Sequence, residues 1–289
     1  MATSRMRVTG CGGSSPTFWT GEAMTEGRFD DWIGRSVATE DVVTASPIAR
    51  LAATLGHDGA HWSVGMLPLL GHWLFHLSGA PRDTLGADGH PALGGFMPPV
   101  GYPRRMWAGG RLRFLGPVPV GATLDKRTTI AAVAEKPGMT FVTLRHDLSV
   151  DGVERIVEEQ DLVYLPITEP RPPKRVERPA PAITRAMTSD EVLLFRFSAL
   201  TFNGHRIHYD APYAREVELY PGLVVHGPLQ AMLLIELATG EGIVPAAFSF
   251  RGHAPLFLGR AFTLAMAGNE LWITDEGGTV TMTAETTPA

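Results

Sequence analysis

Two short segments concentrate side chains able to move protons. The first is Leu200-Thr-Phe-Asn-Gly-His-Arg-Ile-His-Tyr-Asp210, followed by Ala211-Pro212-Tyr213-Ala214. The second is Pro221-Gly-Leu-Val-Val-His226-Gly227-Pro228. They carry His205, His208 and His226, and an imidazole with an unperturbed pKa of about 6.5 suits proton transfer near neutrality. Gly227-Pro228 marks the start of a helix, because proline fits the first helical position. The N–H groups exposed there are unpaired and sit at the positive end of the helix dipole, which is what a developing oxyanion needs. Proton transfer beside an oxyanion site is the chemistry these residue types allow.

Other chemistries lack their residues. His57 with His61, and His72 with His76, stand four apart and could share a helix face. No H-E-x-x-H motif or cysteine cluster completes a metal site around them. The single cysteine, Cys11, excludes a four-thiolate zinc site and a disulfide scaffold, and agrees with a reducing compartment. No P-loop, no dinucleotide fingerprint after a strand and no G-x-S-x-G elbow occurs, which removes kinase, Rossmann oxidoreductase and serine hydrolase readings. No metal and no redox cofactor are expected. A net charge of −5 gives no basic field for nucleic acid. No apolar run approaches the roughly 20 residues that span a bilayer, so the expected setting is the cytoplasm.

These residues must be positioned by a chain of 289 residues, 44% of them hydrophobic, which is enough for two compact units. Residues 1–23 hold Gly10, Gly12, Gly13, Ser14 and Ser15 without periodicity and read as a disordered leader or an over-called start, with Met24 a plausible first residue. A proline-rich break from Pro166, with Pro170, Pro172, Pro173, Pro179 and Pro181, denies the segment helix or central strand. The expected organisation is one unit over 24–165, a linker over 166–187 and a second unit over 188–289.

The two units share a pattern. Arg113-Phe-Leu-Gly-Pro-Val-Pro-Val-Gly121 matches Arg251-Gly-His-Ala-Pro-Leu-Phe-Leu-Gly259 with arginine, proline and glycine in register, the mark of an internal duplication. Strands rich in Thr, Val and Ile are predicted over 124–134, 139–150 and 154–165, then over 262–266, 270–274 and 279–284. Pro228 to Thr239 is apolar nearly all round and ends at Gly240, so it reads as a buried helix. Ser46-Pro47 is expected to cap a helix reaching Leu55, and Pro68 to Leu77 is the buried-helix candidate of the first unit. Sheets wrapped around buried helices make the class α+β.

The first segment resembles the R-specific enoyl thioester hydratases, the MaoC-like branch of the hotdog fold. That family carries an acidic residue, an Asn two positions on, a His five positions on and then Asp-Pro. Here Asn203 holds the acid position, His205 the Asn position and His208 the histidine, while Asp210-Ala-Pro212 stands for Asp-Pro. His226-Gly227 matches the His-Gly that opens the hotdog helix. Gly94-Gly-Phe-Met-Pro-Pro-Val-Gly-Tyr-Pro-Arg-Arg-Met-Trp-Ala-Gly-Gly-Arg-Leu-Arg-Phe114, with Glu158-Glu-Gln-Asp-Leu-Val-Tyr164, resembles the type 2 hydroxyacyl-thioester dehydratases and the related mesaconyl-C4-CoA and itaconyl-CoA hydratases.

The resemblance implies a double hotdog with a degenerate first half and the active site in the second. It implies a lyase that hydrates an enoyl-CoA reversibly, with CoA as part of the substrate. His208 would move the proton, the Gly227 N–H would hold the enolate oxygen, and Asn203 would orient a water. An amide cannot exchange a proton, so either His208 works alone or a carboxylate such as Asp210 or Glu236 replaces the lost acid. Arg105 and Arg104 would grip CoA phosphates or a substrate carboxylate, Trp107 would wall the acyl pocket, and His226 would contact substrate or simply pack at the helix start. Arg111 and Arg113 read as a solvated face. A hotdog thioesterase and a non-catalytic acyl-CoA-binding protein are the other readings, since fold does not decide between them. Exposed sheet edges in such a fold allow a homodimer.

Overall fold

A computed structural model describes residues 28–58, 62, 65–169 and 173–289. The leader with Met24, His61 and Pro170 to Pro172 lie outside the described residues. In chain order the strands are β1 (Ser36–Val42), β2 (Arg104–Phe114), β3 (Thr123–Lys136), β4 (Met139–Val150), β5 (Val153–Leu165), β6 (Ile183–Thr188), β7 (Pro245–Gly252), β8 (Ala261–Ala267), β9 (Glu270–Asp275) and β10 (Val280–Pro288). The helices are α1 (Ala45–Thr54), α2 (Glu191–Leu200) and α3 (Gly227–Gly240).

All ten strands join one sheet in the order β1-β3-β4-β5-β2-β7-β10-β9-β8-β6. From the centre outward the halves read β2-β5-β4-β3-β1 and β7-β10-β9-β8-β6, the same order twice. β2 and β7 pair antiparallel at the middle, from Gly109↔Arg251 to Arg113↔Ala247. The duplication read from the sequence is therefore a structural one. Isolated bridges Met66↔Pro119 and Val224↔Phe257 repeat it, because Pro119 and Phe257 stand at the offset that relates Arg113 to Arg251.

Local chemistry explains the strands. β4 alternates half-buried and buried positions along its whole length, the period of a strand with one face in the core. Asp151 and Gly152 link β4 to β5 with φ of 51° and 73°, the left-handed pair that a two-residue hairpin turn needs. α2 begins on Asp190, whose carboxylate accepts the Leu193 N–H at 2.7 Å. α1 begins one residue before Ser46, and Thr44 precedes it without a side-chain cap, so the expected Ser46 cap is corrected.

Among the described residues the buried helix is present once. α3 buries nine residues, from Leu229 to Ala238, and packs against β7, β8, β9, β10 and β2. In the first half Pro68 to Leu77 forms only a 3-10 turn at Gly71–Leu74. Leu70 and His76 adopt left-handed φ of 61° and 55°, which stops a right-handed helix on either side. Leu70, Leu74 and Phe75 pack in one core with α3, so one helix serves both halves. The linker also ends earlier than expected. Ile183 to Thr188 is β6, paired with β8 from Ile183↔Met266 to Thr188↔Ala261, and it belongs to the second half. No helix among the described residues is long and apolar enough to cross a membrane.

Candidate active site

α2 runs into a tight turn that delivers the polar segment to the interior. Phe202 takes φ 49°, and the Asn203 side-chain oxygen accepts the His205 N–H at 3.0 Å. A 3-10 turn over Arg206–His208 then points His208 inward. The His208 Nδ1 lies 2.7 Å from the Val224 carbonyl oxygen. A carbonyl only accepts, so Nδ1 carries the hydrogen and Nε2 keeps its lone pair.

The His208 ring stacks on His226 with centroids 3.7 Å apart and planes 20° apart. His226 is the residue immediately before α3, fully buried, with Nε2 2.8 Å from the Ser198 hydroxyl on α2. His208, Asn203 and Gly227 thus meet, lining one cavity of about 380 Å³ together with Trp107 and Arg105. Burial pushes the His208 pKa down to about 4, and burial with the neighbouring imidazoles holds His205 and His226 far below the usual histidine range. All three rings are neutral at pH 7. With its oxygen committed to His205, the Asn203 amide has its NH₂ left to donate to a water.

A second, more apolar cavity of about 960 Å³ shares His90, Arg105 and Asn203 with the first. These three side chains lie where the two cavities adjoin, between the second half and the first. The Arg105 guanidinium makes no side-chain hydrogen bond or ion pair among the described residues, and it is the cation beside His90 and His205. Phe96 and Met97 line the larger cavity. Trp107 donates to the Gly109 carbonyl at 2.9 Å and stands edge-on to Trp73, 5.1 Å away, a fixed wall.

Arg104, its neighbour on β2, points elsewhere. It is 5% exposed and donates to Glu218 Oε2 at 2.8 Å, to the Thr168 carbonyl at 3.0 Å and to the Glu218 carbonyl. Its fork is fully engaged in protein, so it does not reach the shared space. Alternation along the strand sends one arginine to the site and the other behind it. Arg111 is held by Glu159 and Asp161 at 2.8 and 2.6 Å, and Arg113 is exposed.

The carboxylates named from the sequence do not reach the site either. Asp210 pairs with Arg206 at 2.8 Å on the surface side of the turn. Glu236 bonds His57 at 2.9 Å. His72 bonds the buried Glu158 at 2.9 Å and His76 bonds Thr39 at 2.9 Å, so the His72–His76 pair does not converge.

A carboxylate that reaches the site through a histidine comes from the first half and was missed. Asp88 and His90 sit in a loop that docks on the 206–208 turn, where the Arg206 N–H donates to the Asp88 carbonyl at 2.9 Å. Asp88 Oδ2 accepts from His90 Nδ1 at 2.9 Å and Oδ1 accepts the His90 N–H at 3.1 Å. The His90 ring is 4.5 Å from the His205 ring, which is 5.4 Å from His208. Asp-Gly-His in a glycine-rich loop was the available signal, but nothing in its spacing ties it to a segment more than a hundred residues away. Asp88, His90 and His205 offer ligand-type atoms within 4.8 Å of one another. Both Asp88 oxygens already accept from His90 and Arg105 opposes a cation there, so the cluster suits proton handling better than a metal.

The loop tolerates only glycine at its centre. Gly89 has φ +92°, and a Cβ there would lie 1.9 Å from the Gly204 carbonyl oxygen. Gly89→Ala is expected to displace His90 and lower kcat by about a hundredfold, the scale of a 1 Å misplacement, read by steady-state kinetics. Unchanged kinetics would show that the loop's position is immaterial.

Fold and site together define a class: a doubled hotdog whose halves close around an acyl-sized space holding an oriented imidazole and a helix N-terminus. Residues 70–258 match the family described as hydroxyacyl-thioester dehydratase type 2. A mesaconyl-C4-CoA hydratase of Chloroflexus aurantiacus is 48% identical over 235 residues, covering 78% of this chain and 84% of that protein. The crystal structure of HtdX of Mycobacterium tuberculosis superposes with a TM-score of 0.66 at 17% identity, covering 88% of this chain and all of that one. Another Mycobacterium tuberculosis protein, described as having a double hotdog fold, gives a TM-score of 0.55 at 15% identity over 89% of this chain and 96% of that one. The chain belongs to the type 2 hydroxyacyl-thioester dehydratase family.

Proposed function

We propose that this protein adds water reversibly across the α,β double bond of an enoyl-CoA, giving a 3-hydroxyacyl-CoA, without metal or redox cofactor. The favoured substrate is a short branched or dicarboxylic acyl-CoA such as mesaconyl-C4-CoA or itaconyl-CoA. The observation that carries the reading is the His208 Nε2 lone pair and the Gly227 N–H at one cavity. His208 takes a proton from a water held by the Asn203 amide as the water oxygen bonds to C3. The electron pair moves onto the thioester oxygen, where the α3 N-terminus stabilises the enolate; one such donor is typically worth about 10²–10³ in rate. Trp107 walls the space. Arg105, which makes no ion pair among the described residues, suits a second carboxylate on the acyl group. The 48% identity to a mesaconyl-C4-CoA hydratase supports the same substrate class.

Crotonyl-, mesaconyl- and itaconyl-CoA offered in parallel test this. Loss of enoyl absorbance with no thiol released is the expected result; thiol release makes the protein a thioesterase, and binding without turnover makes it an acyl-CoA carrier. Arg105→Met is expected to raise KM for the dicarboxylic substrates about tenfold or more, the loss of one charge-assisted contact, and to leave crotonyl-CoA nearly unaffected. Equal effects on both would remove the carboxylate role.

A further inference from the structure

We infer that Asp88 and His90, supplied by the half that lacks the long helix, form the second proton-transfer unit of the site and replace the carboxylate whose position Asn203 occupies. The inference rests on the hydratase reading and adds the step that reading leaves open. Hydration moves two groups: a hydroxyl to C3 and a proton to C2. His208 can accept the water's proton, but no anion among the described residues partners its ring. Its hydrogen-bonding neighbour is a carbonyl and its stacking neighbour another imidazole. A proton on His208 is therefore short-lived and must go on.

His90 is built to receive it. Its Nδ1 is committed to Asp88 Oδ2 at 2.9 Å, so in the neutral ring Nδ1 carries the hydrogen and Nε2 has the lone pair. The ring lines both cavities at their junction. Asp88 lies where it can hold an imidazolium. His205 spans the gap between the two rings, 95% buried, and its Nε2 has no hydrogen-bond partner.

The balance closes on one water. The water oxygen bonds to C3, its proton goes to His208 Nε2, and the C2–C3 electron pair becomes the enolate. The proton passes from His208 to His90 Nε2 through water in the cavity that both rings line, and the imidazolium so formed gives it to C2 as the enolate collapses. Water is consumed, every imidazole ends neutral, and no other reactant is needed. The charged and titratable groups that face His90 are Asp88 on its own loop, Arg105 on β2, and His205 and His208 from the turn after α2. Burial and the Arg105 charge hold the His90 pKa below the usual histidine range, and Asp88 alone among these groups opposes them.

The test compares wild type, His90→Gln, Asp88→Asn and His208→Gln on whichever enoyl-CoA of the panel wild type hydrates fastest. His90→Gln is expected to lower kcat by about 10²–10⁴-fold, the range for a general acid or base, with KM changed less than about threefold. Asp88→Asn is expected to lower kcat less and to move the acid limb of kcat to lower pH, because the partner that favours the charged ring is gone. A purely structural role would lower activity without moving that limb. His90→Gln within about threefold of wild type, or a loss confined to KM, overturns the relay while His208→Gln still reports on the hydratase reading. Wild type inert towards every enoyl-CoA overturns that reading instead. Should His90→Gln not fold, Asp88→Asn decides: an unmoved acid limb ends the proposal.

Discussion

His208→Gln is expected to lower kcat for enoyl-CoA hydration by about 10²–10⁴-fold, with acyl-CoA binding largely retained. Glutamine can still donate to the Val224 carbonyl, so the turn over Arg206–His208 keeps its anchor, but it offers no base in place of Nε2. Stacking on His226 fixes the ring plane, and the Val224 bond at 2.7 Å fixes which nitrogen is free. The same environment sets a pH dependence. Burial holds the His208 pKa at about 4. The working form is the neutral ring, so its contribution to kcat is complete above that pH and is lost as the pH falls through about 4. Stopped-flow or steady-state hydration assays with a calorimetric check of CoA-thioester binding measure both effects. Wild-type kcat in the glutamine variant would end the assignment of His208.

Arg104→Met is expected to act on stability and hardly on chemistry. Glu218 is 1% exposed, and removing the guanidinium strands its carboxylate in the interior. Breaking a buried pair from one side costs about 3–5 kcal/mol, which at this chain length lowers Tm on the order of 10 °C. The loss includes the contact of the guanidinium with the Tyr220 ring, 4.7 Å away. Because Arg104 does not line the shared space, kcat per folded molecule is expected to stay near wild type. Arg104→Met combined with Glu218→Leu removes both charges and should recover much of the stability, since apolar replacement of a whole buried pair is often neutral. Thermal melts of the single and double variants provide the measurement. A single variant that melts normally but loses substrate affinity would return Arg104 to the binding role that its sequence position suggests.

The two halves differ in how far they could be read. β3, β4, β5, β8, β9 and β10 fall within a few residues of the predicted strands, because alternating Thr, Val and Ile between Gly-containing turns is a local signal. β1, β2, β6 and β7 were not predicted. β2 carries Gly109 and Gly110, which weaken a strand on propensity alone. A Cβ at Gly110 would lie 2.8 Å from the Phe250 ring, so the glycines are there to let β7 close against β2. That reason exists only once the halves meet. The second buried helix failed for a similar cause: Pro68 to Leu77 is apolar enough, but α3 already fills the space between both halves.

The site follows the same division. His208, Asn203 and Gly227 lie within one stretch of chain, and the resemblance of that stretch to the MaoC-like hydratases grouped them as they meet in the fold. The sequence by itself thus determined a duplicated α+β chain, one apolar helix with a glycine-proline start, and a histidine-rich segment whose family resemblance tied it to that start. Tertiary structure decided what sequence distance conceals. It turned Arg105 inward and Arg104 away, tied Asp210 and Glu236 to other partners, and brought Asp88 and His90 across the domain boundary to His205. Periodicity and capping are encoded within a few residues, whereas the pairing of charges depends on which surfaces the closed sheet presses together.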